Sequence, residues 1–495
     1  MTKDPYMLLG VSRSASQVEI KKAYRQLVKN RNGTNSEVLL KEINAAYETL
    51  SNPEPNRDHN SQQSFEYPAP RYAWTLIAFL TIAYVSSFID RYILGLLIDP
   101  IKADTGATDF QMGLLSSAFT WVYALAALPL GFIVDRRSRT KLVAVGVFLW
   151  SVATVWTGLA KSFVQLFLAR MSVGIGEAVL SPAAFSMIGD SFPKERRGLP
   201  IAVYSMALVI GAAIANLLSG GIIKWAETVG EVTLPFFGKI ATWQFIFVVV
   251  GLPGFLIAAA FLVLREPPRI ESSPREGSSL FDALDWVGTR PATFLTFVSI
   301  FMCMVAVAYG QFFNAPMFSR TWGWETSDYA IINGLSILAI SPVTYLIAGR
   351  VSDRLVSRGV RDGPLRLAVL GLLVMIPSAA LAPLLPTGWM AFGLLCVTTV
   401  GIGLVSATGV NALLAVVPGD IRGFVVALYY FFISFIGGAL SPPFIGWVND
   451  TFFAGDGLRY AMAIFPVVFG TIPILLIPVT LKLYRKELDR VAERA

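Results

Sequence analysis

The chain has 495 residues, of which 55% are hydrophobic and 15% charged, with a net charge of +7 and a mean hydropathy of +0.61. An average soluble protein carries about 25% charged residues. A single histidine (His59) and two cysteines inside apolar runs (Cys303, Cys396) exclude multi-histidine metal sites, histidine-based catalytic triads and a disulfide framework. No metal or cofactor is expected, and nothing points to covalent catalysis or nucleic-acid binding: the chain reads as a polytopic helical membrane protein and not an enzyme.

The first 71 residues are polar and lack both a spanning run and a signal-peptide core, so they are expected to stay in the cytoplasm. Ser16-Gln17-Val18-Glu19 has capping-box spacing, and Ile20, Ala23 and Leu27 follow at helical intervals with Lys21, Lys22 and Arg25 outside. Leu39, Ile43, Ala46 and Leu50 mark a second amphipathic helix, and Asn32-Gly33 is a turn signal between the two. Asp4-Pro5-Tyr6-Met7-Leu8-Leu9-Gly10-Val11, Glu19-Ile20-Lys21-Lys22-Ala23-Tyr24-Arg25 and Lys41-Glu42-Ile43-Asn44-Ala45-Ala46-Tyr47 resemble the J domain of Hsp70 co-chaperones. That family's His-Pro-Asp turn falls on Asn32-Gly33-Thr34 here, and the resemblance therefore implies a degenerate head, 1–52, unable to stimulate the Hsp70 ATPase in the usual way. Its basic helix could bind an acidic protein partner or anionic lipid headgroups, although a solvated face is the simpler and preferred reading. The proline-bearing segment 53–71 reads as a tether.

Apolar runs then repeat to the C-terminus. About twelve spans of roughly 20 residues, the length a bilayer core demands, fall near 72–98, 110–133, 140–160, 163–189, 198–223, 242–264, 292–316, 327–349, 365–385, 388–414, 422–448 and 458–483. Lys and Arg concentrate in one set of loops (136–141, 194–197, 350–366) and in the tail 485–495, whereas the alternate loops offer singletons such as Lys102, Lys161, Arg320 and Arg459. The positive-inside rule places both termini in the cytoplasm.

The two halves echo each other. Gly131-x-x-x-Asp135-Arg136 after the second span matches Gly349-x-x-x-Asp353-Arg354 after the eighth. Val173-Gly174-Ile175-Gly176 matches Val400-Gly401-Ile402-Gly403, Pro193-x-x-x-Arg197-Gly198 matches Pro418-x-x-x-Arg422-Gly423, and Tyr204 matches Tyr429. These argue a duplicated six-helix unit, 72–264 and 292–484, joined by a linker at 265–291, with a substrate path between the halves. The loop Gly131–Lys141 resembles a signature of the major facilitator superfamily, with Ser138 where Gly is usual. Asp90-Arg91-Tyr92, Arg170, Gly174-Ile175-Gly176-Glu177-Ala178, Ser181-Pro182-Ala183-Ala184 and Phe192–Gly198 resemble its spinster-like branch. The resemblance covers roughly 72–484 and implies a twelve-helix, all-α transporter fold; the branch includes exporters of sphingolipid- and lysophospholipid-like amphiphiles.

Asp90, Arg91, Arg170 and Glu177 fall inside spans. A charge at a helix centre costs about 2.5–3.5 kcal/mol on insertion scales, so each is expected to face a partner or a water-filled cavity. In the repeat Glu177 aligns with Leu404 and Arg170 with Val397, so the scaffold can be built without these charges. Asp90 and Arg170 lie at matching depths, roughly 12 and 10 Å from the outer end of their spans, and could meet. Glu177 sits two turns deeper on the face of Arg170, and rocking that moves Arg170 near and far would let Glu177 or Asp90 exchange a proton. The spinster resemblance points to the same charges; a static network that fixes helix packing is the alternative. Gly131, Asp135, Arg136, Gly349, Asp353 and Arg354 are expected to form gating loops, with the glycines permitting close helix approach. Tyr123, Asn216, Gln311, Asn314, Asn411 and Tyr429 are possible cavity-lining residues, though a polar side chain in a membrane helix also serves simply to bond across helices. The resulting expectation is a multi-pass transporter of the bacterial inner membrane, moving a small amphiphilic or lipid-like solute by alternating access with proton coupling. A drug or organic-anion transporter and a membrane-anchored chaperone-recruiting or receptor protein are the rivals.

Overall fold

In a computed structural model, the described residues are 5–12, 15, 19–24, 46–47, 67–193, 196–230, 232–234, 238–269, 280–417 and 421–494. The chain divides into two units, Met1–Glu66 and Tyr67–Ala495. In the first, the helix Pro5–Leu9 and the helical residues 19–24 share a small core in which Leu9, Ile20 and Ala46 are buried. Tyr24 and Tyr47 stack at 4.0 Å, so the aromatic residues of the two amphipathic segments hold each other. The turn Asn32-Gly33-Thr34 and the Ser16 cap lie outside the described residues.

Among its described residues the second unit is helical almost throughout, with twelve helices long and apolar enough to cross a membrane. Span 1 is Pro70–Leu96 and span 2 Asp109–Arg136; span 3 is Arg139–Leu159 and span 4 Phe163–Ser191; span 5 is Gly198–Val229 and span 6 Thr242–Val263. Spans 7 to 10 are Pro291–Trp322, Thr326–Ser357, Gly363–Leu384 and Gly388–Val416. Span 11 runs from Arg422 to Phe452 through a π-helical stretch at Ile433–Gly438, and span 12 is Leu458–Arg494. A bilayer offers backbone groups no water, so helices that satisfy their own hydrogen bonds are the form these apolar runs take. Thr108, Ser162 and Thr387 cap spans 2, 4 and 10, all of which start on the same face of the molecule. That face is the one opposite the basic loops.

The duplication is visible in packing. Gly146 of span 3 and Gly176 of span 4 approach so closely that a Cβ on either would stand 2.7–2.8 Å from the other's carbonyl oxygen, and Gly371 of span 9 and Gly401 of span 10 do the same. Both pairs sit 225 residues apart, as do Tyr204 and Tyr429. This corrects the register expected from the Gly-x-Gly match: Glu177 corresponds to Ile402 and Arg170 to Leu395. The Gly-x-Gly pair aligned by itself gives 227, but the Pro193/Pro418 and Arg197/Arg422 matches already stand at 225, and the helix contact of Gly176 and Gly401 puts spans 4 and 10 in that same frame. The equivalents are apolar in both frames, so the charges remain extra to the repeated scaffold.

Across the halves, span 2 packs on span 11 and span 5 on span 8. A Cβ on Gly113 would lie 2.5 Å from the backbone of Pro442, and one on Gly446 would collide with the backbone of Asp109. The ends of spans 2 and 11 are therefore in backbone contact. Gly113→Val is expected to push these ends apart and raise the reactivity of a cysteine at Phe110 toward a membrane-impermeant thiol reagent by at least several-fold. Unchanged reactivity would show that the contact yields without opening.

Candidate functional site

Two ion pairs lie between spans 1 and 4, one fully buried and one with its arginine partly exposed. Arg170 Nη1 donates to Asp90 Oδ2 at 2.8 Å, and both side chains are at most 3% exposed. Thr154 of span 3 donates to the other oxygen of Asp90 at 2.9 Å. Arg91 donates through Nε to Glu177 Oε2 at 2.8 Å, and its Nη2 bonds the same oxygen. Successive residues on a helix point about 100° apart, so Asp90 and Arg91 reach different partners from one turn. The sequence assigned Arg170 as the mobile cation for both carboxylates; the structure gives each carboxylate its own arginine. Arg91 also lies 4.6 Å from the ring centre of Phe119 and 5.2 Å from that of Tyr123, and Arg170 lies 5.8 Å from Phe119, so one aromatic ring is shared by both cations.

These cations border a cavity of about 260 Å³ between the two halves. Arg91 and Arg170 line one side; Phe88, Tyr92, Phe119, Tyr309 and Phe312 give it aromatic walls. Asn216, Gln311 and Asn333 add amides, and Asn333 Nδ2 donates across the halves to Asn216 Oδ1 at 3.2 Å. Within this region Arg170 Nε and Glu177 Oε1 are buried with no hydrogen-bond partner among the described residues. An unpaired buried donor and acceptor are costly to keep, which marks the place where a ligand or a proton would be welcome.

Other expected lining residues lie elsewhere. Asn314 faces a separate small hole beside Thr398, Tyr429 is buried against Phe297 and Phe301, and Asn411 is on the exposed side of span 10. Tyr123 sits behind the site, stacked on Phe119. Sequence reading missed Thr154, one of several hydroxyls spaced along span 3 (Ser151, Thr157), and Asn333, and also Tyr309, whose aromatic type is ordinary in a membrane helix.

The face opposite the basic loops is sealed by a cross-half network. Arg320 at the end of span 7 donates to Asp99 at 2.9 and 2.6 Å and to both oxygens of Asp109 at 2.7 and 2.9 Å. Asp109, fully buried, also accepts from Lys102 at 2.7 Å and from Asn449 of span 11 at 2.7 Å. Asp450 accepts from the backbone N–H groups of Asp109 and Phe110, placing a carboxylate on the positive N-terminus of span 2. Lys102 and Arg320 looked like isolated loop charges; they are the fasteners of this face.

On the basic face the ties run within each half. Arg139, buried, bonds Asp190, Ser186, Glu266 and the Pro267 carbonyl. Burial pushes the Glu266 carboxyl up, but bonds from the Arg139 backbone, Ser138 and the Arg139 guanidinium outweigh it and hold the group below its ordinary value. Gly131 and Gly349 face open space, which corrects the expected close approach there: the opposite face is the closed one in this state. Arg136 lies 5.2 Å from the ring centre of Phe132, Asp353 and Arg354 follow Gly349 near the end of span 8, and the Asp135 side chain is outside the described residues.

The profile of the Major Facilitator Superfamily matches residues 80–442. The chain belongs to that superfamily. It is a family of transporters rather than enzymes, and with twelve apolar helices the protein is a multi-pass integral membrane protein. A DnaJ domain profile matches residues 4–60, over the J-like head. Among solved structures, a bacterial homolog of the human lysosomal transporter Spinster, in an inward-facing and unoccupied conformation, superposes with a TM-score of 0.70 at 27% identity, covering 85% of this chain and 98% of that one. An MFS-type efflux pump of Mycolicibacterium smegmatis is 28% identical over 77% of this chain and 86% of its own length. The sphingosine-1-phosphate transporter SPNS2 of Mus musculus is 35% identical over 30% of this chain and 27% of its own length. The superfamily match and these spinster relatives agree with the spinster-like signature in spans 1 and 4.

Proposed function

We propose that this protein is a proton-coupled transporter of a small amphiphilic solute, working by alternating access in the bacterial inner membrane with both termini in the cytoplasm. The observation that carries the reading is the pairing of two arginines with two carboxylates at the edge of an aromatic cavity between the halves. Protonation of Glu177 removes the charge that holds Arg91. A largely desolvated cation without a partner is expensive, so the freed guanidinium favours an anionic head group in the cavity while the aromatic walls take the apolar part. Proton and anion then reinforce each other's binding, a coupling that is reciprocal by linkage. The Lys and Arg distribution supports the orientation, in which the sealed face is external and the cavity opens toward the cytoplasm. The similarity to SPNS2 supports a lipid-like solute, and the efflux-pump relative supports a drug-like one. The J-like head, whose Lys21 and Lys22 are exposed, would serve as a docking element without Hsp70 stimulation.

Proteoliposomes under an imposed pH gradient test this reading with lysolipids, sphingoid phosphates, organic anions and cationic drugs. Proton flux should depend on one solute class, and Glu177→Gln should abolish the flux while leaving solute binding within about tenfold. Solute counterflow without proton movement, equal in wild type and in Glu177→Gln, would reduce the charges to packing.

A further inference from the structure

The basic loop between spans 8 and 9 is more than a topological signal. Asp362, only 4% exposed, accepts from Arg366 Nε at 2.9 Å through one oxygen and from Arg485 Nε at 2.6 Å through the other. One carboxylate thus orients two guanidiniums through their inner nitrogens. Their outer NH₂ groups have no hydrogen-bond partner among the described residues and stand free on half-exposed side chains. A third guanidinium, Arg361, is 64% exposed and only loosely opposed to Asp489 at 3.8 Å. The three border an open cleft of about 400 Å³, with Leu488 on its wall. Burial pushes the Asp362 carboxyl up, and the bonds from Arg485 and Arg366 more than offset it, so the anchor stays charged across the neutral range.

Three arginines against two acids leave this cleft cationic, and Arg358, Lys482 and Lys486 lie beside it in sequence. Guanidinium edges presented in a fixed fork match the oxygens of a phosphate better than a flexible ammonium does. The cleft sits where span 8 ends, span 9 begins and span 12 turns polar, and basic pockets between membrane helices are suited to anionic headgroups. The duplicated scaffold does not require it: at the 225-residue offset Arg366 corresponds to Lys141 and Asp362 to Arg137, so no acid stands at the equivalent of the anchor. We propose that Arg361, Arg366 and Arg485, held by Asp362, form a binding site for a phosphate group, separate from the transport cavity. A phosphodiester of an anionic phospholipid and a soluble phosphate monoester share this chemistry.

The full-length protein in detergent decides the matter by native mass spectrometry and thermal unfolding. The ligands are phosphatidylglycerol, phosphatidylcholine and glycerol phosphate. Wild type should retain phosphatidylglycerol in preference to phosphatidylcholine and gain several degrees in midpoint; Arg361→Gln should weaken this at least several-fold, and Arg366→Gln with Arg485→Gln should abolish it. Arg361 lies outside the Asp362 pairing, so its replacement keeps the test valid if the double variant misfolds. Glycerol phosphate acting as well as the lipid, with the same dependence on Arg361, would support the site with a soluble ligand. Retention and midpoint that ignore Arg361→Gln, or no response to either anion, would overturn the proposal.

Discussion

Replacing Arg320 by methionine is expected to shift the protein toward a state open on the face that is sealed here. Arg320 bridges Asp99 and Asp109, and its loss leaves Asp109 buried with only Lys102 and Asn449. Removing one partner of a fully buried pair costs about 3–5 kcal/mol. Arg320 is a quarter exposed, so solvent screening reduces this to about 2 kcal/mol. That corresponds to roughly a thirtyfold change in the equilibrium between access states. Spin labels on Lys161→Cys and Asp456→Cys, both exposed on that face, would report it as a new population at longer distance. An unchanged distance distribution would mean that backbone contact at Gly113 and Gly446, not charge, keeps the face shut.

The second large effect concerns the Asp90–Arg170 pair. Arg170→Gln strands a carboxylate that is 2% exposed, with Thr154 as its remaining donor, and should cost about 3–5 kcal/mol of stability. Adding Asp90→Asn removes the stranded charge, and the double variant should recover most of that loss. The two substitutions are in contact, so a double-mutant cycle should return a coupling of about 2 kcal/mol or more. Unfolding in detergent measures it, and additive costs would contradict a direct pair. Transport separates structure from function: the double variant should be stable yet inactive. Wild-type transport in the double variant would remove this pair from the mechanism.

The sequence made the spans legible because each is a long apolar run with few charges, a signal that survives without any partner. It made the four intramembrane charges legible for the same reason, as exceptions in those runs. Their pairing was not legible. Which arginine meets which carboxylate depends on the rotation of span 1 against span 4, and a single residue's step turns Arg91 toward Glu177 while Asp90 faces Arg170. The sealed face was hidden for another reason. Asp99, Lys102, Asp109, Arg320, Asn449 and Asp450 are ordinary charges and amides at helix ends, separated by up to 351 residues, and only the approach of the two halves makes a network of them. The glycines of spans 3 and 4 and of spans 9 and 10 lie between these extremes: the repeat was readable, and the contact of the glycines decided between the two offsets, 227 and 225, that the motifs offered.

The paired quartet also fixes how the transport core responds to voltage. With both pairs ionised, Asp90, Arg91, Arg170 and Glu177 sum to zero charge. Reorientation around them then moves no net charge through the membrane field, and the empty carrier switches without electrical work from this group. One proton on Glu177 makes the quartet monocationic, and each elementary charge that crosses the whole field is worth about 2.3 kcal/mol per 100 mV. A bound anion restores neutrality. In the proposed cycle the membrane potential therefore acts on this group only when it is protonated and its anion is missing, and it would resist a slipping cycle that carried the proton back outward alone.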